Sequence, residues 1–422
     1  MKKIKMMMAA ALGVLVSCGS VKSGEEAIAA SRESKVVVAY VTSWSEVMPD
    51  PQYMTHINYA FGHVNESFNG VKIDNEERLR QIVDLRKQKP EVLLSIGGWG
   101  SGRFSEMAAN DEYRRAFAAD CDRVVKEFAL DGIDIDWEYP TSSMANISSS
   151  PDDTENFTLL MQDIRAAIGN EKELTLATVA SARYIDFKAI LPSVDFVNIM
   201  AYDMASAPKH HSALYPSGHS GDITSDGAVT AHLKAGVPPS KLVMGMPFYG
   251  RGGDGYPSFQ DYNKVGNTDT QYTEKWDEVA QVPYLADKND TLVFGFENPR
   301  SLAIKCQYIL DKDLLGGMYW DYSGDNEQGD LRRTVAENLL GKPHKAKVLV
   351  LTERGGQHGG FTDAGLRWLA AEGAKGNFSI TEINNARNIT EAYLSQFSLV
   401  IQLDFPPYTW PKEAEDAFVM YI

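Results

Sequence analysis

Cysteine is scarce in this chain, with three in 422 residues: Cys18, Cys121 and Cys306. No disulfide-stapled scaffold and no Cys-based metal or redox motif can be built from so few at such spacings. Cys121 and Cys306 read as buried free thiols, with a disulfide between them the alternative. Positive charge is in deficit too. Lys and Arg total 41 against 57 Asp and Glu, for a formal net charge of -16 and a pI near 5.0. With no basic run after the first residues, nucleic acid and anionic membrane surfaces are excluded as electrostatic partners. Long hydrophobic runs are missing as well: the stretch from Met6 to Val16 is shorter than the ~20 residues that span a bilayer. No ligand cluster for a metal or organic cofactor is visible, so none is expected. What the chain has in quantity is core material, 44% hydrophobic and 10% aromatic residues, in a length that points to two domains.

The N-terminus, "MKKIKMMMAAALGVLVSCGS", places lysines ahead of a short apolar stretch and then small residues, the pattern of an export signal. Its "LVSC" resembles the lipobox of bacterial lipoproteins. That resemblance implies a signal peptide over residues 1–17, a lipidated Cys18 that anchors the mature protein to a membrane of the cell envelope, and a polar tether over 18–34. The alternative is an ordinary cleaved signal with an incidental Cys.

From Val36 onward, short apolar runs ending in polar or aromatic residues recur eight times: "VVVAYVTSW", "HINYAFGHV", "EVLLSIGGWG", "DGIDIDWEYP", "ELTLATVA", "DFVNIMAYDM", "KLVMGMPFYGR" and "LGGMYWDYSGD". Helix-like segments such as "DEYRRAFAADCDRVVKEFAL" and "ENFTLLMQDIRAAIG" alternate with them. This pattern predicts an α/β fold, a (β/α)₈ TIM barrel over residues 35–341. Its functional side chains should gather at the C-terminal strand ends. Ser95, Trp99, Asp136, Glu138, Tyr202, Asp203, Tyr249, Arg251 and Trp320 all fall there. Aromatic faces beside hydrogen-bonding carboxylates on one rim fit a carbohydrate cleft.

The fourth run is unusual in its acid content. Read as a strand, it turns Asp134, Asp136 and Glu138 to one face and Ile133, Ile135 and Trp137 to the other. A calcium loop would want a flexible turn, whereas β-branched and aromatic residues interleave these acids. Same-face residues stand about 6–7 Å apart, so in a low-dielectric site they cannot all ionise independently. At least one proton should be held up to near-neutral pH, which is how a general acid is made. Asp131, on the other parity, reads as structural.

"DGIDIDWE" matches the DxxDxDxE signature of glycoside hydrolase family 18, "SIGG" (Ser95 to Gly98) its SxGG motif and "MAYD" (Met200 to Asp203) its MxYD motif. Over about Val36 to Leu340 the chain therefore resembles that family, the chitinases. The resemblance implies that Glu138 is the general acid/base, Asp136 positions the substrate acetamido group, and Asp134 is a deeper proton or hydrogen-bond partner of Asp136. Tyr202 would contact the acetamido oxygen, Met200 and Asp203 would line the site, Tyr40 would lie beneath it, and Trp320 would floor subsite -1. Phe61, Trp99, Tyr139, Tyr249 and Arg251 complete the implied substrate contacts. The resemblance also implies cis peptides at Ala60–Phe61, Glu138–Tyr139 and Trp320–Asp321, and a partner that is an N-acetylglucosamine-containing polysaccharide or oligosaccharide, acted on by a monomer. Between "PFYGR" and "LGGMYW" the inserted domain of many processive members looks absent or reduced to a loop, so an open, endo-acting groove is expected. An endo-β-N-acetylglucosaminidase of N-glycans and a non-catalytic lectin on the same barrel are the alternatives.

Beyond "LRRTVAENLLGKPH" the pattern changes to βαβαβα, the start of a doubly wound parallel sheet over 345–422. "VLVLTERGGQHGGFTDAGLRWL" and "SQFSLVIQLD" resemble the beginning of trehalose-utilisation, glutamine-amidotransferase-like domains. Such domains continue through further strands, so a partial domain is expected. His358 in its Gly-rich turn has no paired acid or Cys and is left without a role.

Overall fold

The computed structural model describes residues 35–421 except 254–255, 266–270, 342–345, 353–358, 374–377, 388, 395–396 and 404–409. The leader, the tether, Cys18 and His358 lie outside the described residues. The eight expected runs become eight parallel strands: β1 (Val36–Thr42), β2 (His56–Val64), β3 (Glu91–Gly97), β4 (Gly132–Asp136), β5 (Glu173–Val179), β6 (Phe196–Met200), β7 (Leu242–Pro247) and β8 (Gly316–Trp320). Each pairs with the next, and β8 pairs back onto β1, closing the barrel. Helices such as Asp111–Glu127, Asp153–Ile168, Pro299–Asp311 and Asp330–Leu340 fill the connections. Asn110 caps the first of these by accepting from the Glu112 and Tyr113 amides, and Asn298 with Ser301 closes a reciprocal capping box on the third.

Strand parity sorts the side chains into two cores. Outward residues such as Val37, Ala39, Ile133, Ile135 and Trp137 pack under the helices, where Trp137 stacks on Phe104 at 5.3 Å and meets the edge of Phe157 at 5.8 Å. Inward residues Val38, Tyr40, Ala60, Phe196, Val243 and Met318 fill the barrel. Register then brings the inward polar residues of neighbouring strands together, with Tyr40 beside Asn58, Ser95 beside Asp134, and Asp134 beside Thr175. Asp131 lies at the opposite, N-terminal entrance, accepting from the Val92 amide and the Arg86 guanidinium. Cys121 and Cys306 are free and buried.

The segment between β7 and β8 departs from expectation. In place of a loop it forms a five-stranded antiparallel sheet from Tyr249–Gly252, Gln260–Asp261, Thr273–Asp277, Val282–Ala286 and Leu292–Gly295. The run read as one strand, "KLVMGMPFYGR", is two. Pro247 cannot donate to a ladder and ends the barrel portion, and Tyr249–Gly252 then leaves to pair with Phe294 and Gly295. Short strands hid the sheet in the sequence: they run from two to five residues, joined by turns such as Asp287–Asp290, and only Val282, Leu285, Leu292, Phe294 and their neighbours mark a buried face.

The tail is βαβαβα as expected. Ala346–Thr352, Phe378–Ile383 and Leu399–Leu403 form a parallel sheet with the first strand central. Helices Gly359–Glu372, Glu391–Leu394 and Lys412–Tyr421 accompany it, and Leu349, Leu351, Leu394, Trp410 and Ala414 share a core.

Candidate active site

Asp134 lies at the bottom of the row, fully buried in the barrel. Its Oδ2 accepts from Tyr40 and Ser95, each at 2.8 Å, and its Oδ1 from Thr175 at 2.6 Å and Asn198 at 3.4 Å. Burial pushes its pKa up, and these four donors pull against that. Asp136, one step toward the rim, is 4% exposed, and its Oδ1 has no hydrogen-bond partner among the described residues. Burial first, and then the negative charges of Glu138 and Asp134, hold its carboxyl well above the usual range. Glu138 stands at the mouth just beyond β4. Burial raises it to about 7, with the Asp203 charge adding to the rise and a hydrogen bond from Tyr139 opposing it. Both Asp136 and the cleft-facing Glu138 are therefore shifted toward holding a proton near neutral pH.

Two glycines let the backbone close around these acids. Gly97 has φ +132° and a Cβ there would meet the Asp136 carbonyl oxygen at 1.9 Å; Gly98 has φ +92° and would meet the Phe61 ring at 2.6 Å. The Gly98 amide donates to that same Asp136 carbonyl at 2.8 Å. Ala60–Phe61, Glu138–Tyr139 and Trp320–Asp321 are all cis.

Above the acids opens a cleft of about 650 Å³. Tyr40, Phe61, Trp99, Asp136, Glu138, Tyr139, Met200, Tyr202, Asp203, Tyr249, Arg251 and Trp320 all line it; of the described residues expected at the site, Asp134 and Ser95 sit beneath. Trp320 stacks on Phe61 at 5.6 Å and meets Tyr40 at 5.6 Å. Asp203, just past β6, is clamped by Arg251, Nε to Oδ1 at 2.7 Å and Nη2 to Oδ2 at 2.5 Å. Although burial opposes it, the hydrogen bonds from Arg251 and the nearby His211 ring hold the Asp203 carboxyl well below its ordinary range. Arg251 comes from the inserted sheet, which thus supplies a wall of the cleft, and its guanidinium lies 5.3 Å from both the Tyr249 and Phe259 rings.

A family model for glycosyl hydrolases family 18 matches residues 36–325. The chain belongs to this family. It is 29% identical to chitinase A1 of Niallia circulans over 72% of this chain and 58% of that one, so it spans less than two thirds of that relative. Chitotriosidase-1 of Mus musculus is 30% identical over 69% of this chain and 74% of its own. Among solved structures, a family 18 N-acetylglucosaminidase from Paenibacillus barengoltzii superposes with a TM-score of 0.67 at 32% identity, over 72% of this chain and all of that one. Family 18 membership makes the protein a glycoside hydrolase, and it accounts for the barrel but not for the tail over residues 345–422.

Several cleft residues escaped the sequence reading. Trp44, Met144, Ser181, Arg183, Tyr184 and Phe259 line the cleft from loops, where no periodicity marks them. Thr175 and Asn198 had a usable signal: each is a polar residue at an inward position of an otherwise apolar strand. His211 had none, lying in a Ser- and His-rich loop a few residues beyond Asp203.

Proposed function

We propose that the protein cleaves β-1,4 bonds of N-acetylglucosamine polymers, chitin or chito-oligosaccharides, with retention and with the substrate's own acetamido group as nucleophile. The observation that carries this reading is the unpaired, buried Oδ1 of Asp136 beside a carboxyl that stays protonated to about pH 7. An unpaired buried acceptor is costly, and an acetamido N–H satisfies it. In this reading Glu138 gives its proton to the glycosidic oxygen as the acetamido oxygen bonds to the anomeric carbon. Asp136 accepts from the N–H of the resulting oxazolinium cation and Tyr202 donates to the acetamido oxygen. Glu138, now ionised, takes a proton from the water that opens the ring, which restores the acid and leaves the β configuration. Trp320, Phe61 and Tyr40 seat the sugar at subsite -1. Asp134 carries no contact with substrate and acts on Asp136 through charge.

Endo action draws support from Trp44 and Trp99, 64% and 61% exposed along the cleft, since such open faces suit a longer chain. Release of single units is the second reading, favoured by similarity to the P. barengoltzii N-acetylglucosaminidase. Cys18, through its "LVSC" context, is proposed to anchor the protein in the bacterial envelope, and the parallel three-stranded tail supports kinship with trehalose-utilisation, amidotransferase-like domains. An NMR time course on chitohexaose tests the chemistry: β-anomer must appear first, and α-anomer as first product refutes substrate assistance. The same time course separates internal cleavage from stepwise loss of monomer, and a high-mannose glycopeptide left intact argues against the N-glycan alternative.

A further inference from the structure

We infer that His211 is a positioning residue that holds the Asp203 carboxylate in place for the site, an inference that rests on the reading of Asp203 as part of the machinery. The His211 side chain is fully buried, and its Nδ1 lies 3.5 Å from Asp203 Oδ1. Neither ring nitrogen has a hydrogen-bond partner among the described residues. A buried imidazole left unpaired is destabilising unless something it faces makes up the loss, and the polar group that this one faces is Asp203. The separation exceeds the 2.7–3.2 Å of a formed N–H···O bond, and catalytic contacts of this kind tighten when substrate arrives.

The surroundings leave His211 little freedom to turn elsewhere. Its carbonyl accepts from the Met204 amide at 3.0 Å, which ties it to the residue after Asp203, and its ring lies 5.4 Å from that of Tyr249. On one side His210 Nε2 is 3.2 Å from Asp277 of the inserted sheet. On the other, Ser212 Oγ donates to Glu297 at 2.6 Å, and Lys305 binds both Glu297 and the Ser212 carbonyl. Buried polar anchors thus flank His211 on both sides and aim it at Asp203, which itself holds a left-handed backbone at φ +54°. Arg251 grips the two carboxylate oxygens from the cleft side, and His211 supports Oδ1 from the protein side with the proton on Nδ1. The Asp203 charge in turn helps hold Glu138 protonated, so a displaced Asp203 alters the acid.

The test compares His211→Phe, which keeps the ring against Tyr249 and removes the donor, with His211→Asn, whose amide nitrogen takes the place of Nδ1. On a chromogenic chitobioside, His211→Phe should lose on the order of 10-fold in kcat with KM changed by less than about 2-fold, below the ~10² that a full ångström of misplacement costs. Its alkaline limb should move to lower pH, while His211→Asn should restore both kcat and the limb. Crystal structures of the two variants supply a readout independent of activity: the Asp203 carboxylate should turn in His211→Phe and stay in His211→Asn. An unmoved Asp203 with unchanged kcat in folded His211→Phe overturns the inference, as does equal loss in both variants. If the wild type cleaves no chitobioside but Asp203 still turns in His211→Phe alone, the proposed function fails and the role of His211 stands.

Discussion

Replacing Glu138 with Gln should abolish turnover and, at alkaline pH, stabilise the fold. Burial raises Glu138 from an ordinary 4.5 to about 7, so the folded state binds this proton more tightly than the unfolded chain does. The contribution of the protonated carboxyl is fully present below pH 4.5 and is lost as pH rises through about 7. At about 1.36 kcal/mol per pH unit of displacement, the ionised carboxylate costs the wild type about 3 kcal/mol at pH 8 and about 1 kcal/mol at pH 5. Glutamine never ionises, and it also relieves the charge that raises Asp136. The stability difference between Glu138→Gln and wild type should therefore grow by about 2–3 kcal/mol between pH 5 and pH 8, read by urea denaturation with tryptophan fluorescence at each pH. Over the same range kcat should be down by at least the ~10² to 10⁴ of general acid catalysis, with sugar binding kept. A difference that stays flat from pH 5 to pH 8 would mean that Glu138 titrates as an ordinary carboxyl, and the assignment of the acid would be wrong.

Asp136→Asn should also cripple turnover, although Asp136 does not reach the leaving oxygen, and cello-oligosaccharides or fully deacetylated chitin should not be cut by the wild type; hydrolysis of either at a rate comparable to chitin would defeat the acetamido mechanism. Lys305→Met removes the cation from a pair whose side chains are both fully buried, a loss of about 3–5 kcal/mol in denaturation, whereas Lys305→Met with Glu297→Gln should recover most of it. Cys18→Ala should move the protein from the membrane fraction to the soluble one, and a wild type that fractionates as soluble would remove the anchor from the proposal.

The barrel was legible because closure forces a repeating pattern. Every strand must hide one parity under helices and turn the other inward, so Ile133, Ile135 and Trp137 against Asp134, Asp136 and Glu138 can be sorted by counting in twos. The rim residues follow from strand ends alone, which is why Trp99, Tyr202 and Trp320 can be placed together from the sequence, whereas Tyr40, inside its strand, enters only through the family resemblance. Residues delivered by irregular connections had no such rule. Trp44, Arg183, Tyr184 and Phe259 reach the cleft from loops whose path depends on packing far along the chain. Nor could spacing tell that Thr175 and Asn198, one on each of two strands, would turn toward the same Asp134 oxygen.

The inserted sheet shows where sequence reading fails and why the site survived the failure. Tyr249 and Arg251 were assigned to the rim as the end of a barrel strand, yet they belong to a strand that has left the barrel for an antiparallel partner. Both readings put them on the same side of the cleft, because the chain can reach the insertion only by rising from the C-terminal end of β7. What the strand assignment concealed is dependence. Arg251 is positioned by pairing with Gly295, the loop bearing His211 is fastened to that same sheet through Asp277, and the Glu297–Lys305 pair at its exit holds Ser212. The Asp203 carboxylate is thus gripped on the cleft side by a residue of the inserted sheet and approached from behind by a residue of a loop fastened to that sheet. A substitution that loosens the sheet, with no contact to any sugar, acts on the proton of Glu138 through the charge of Asp203.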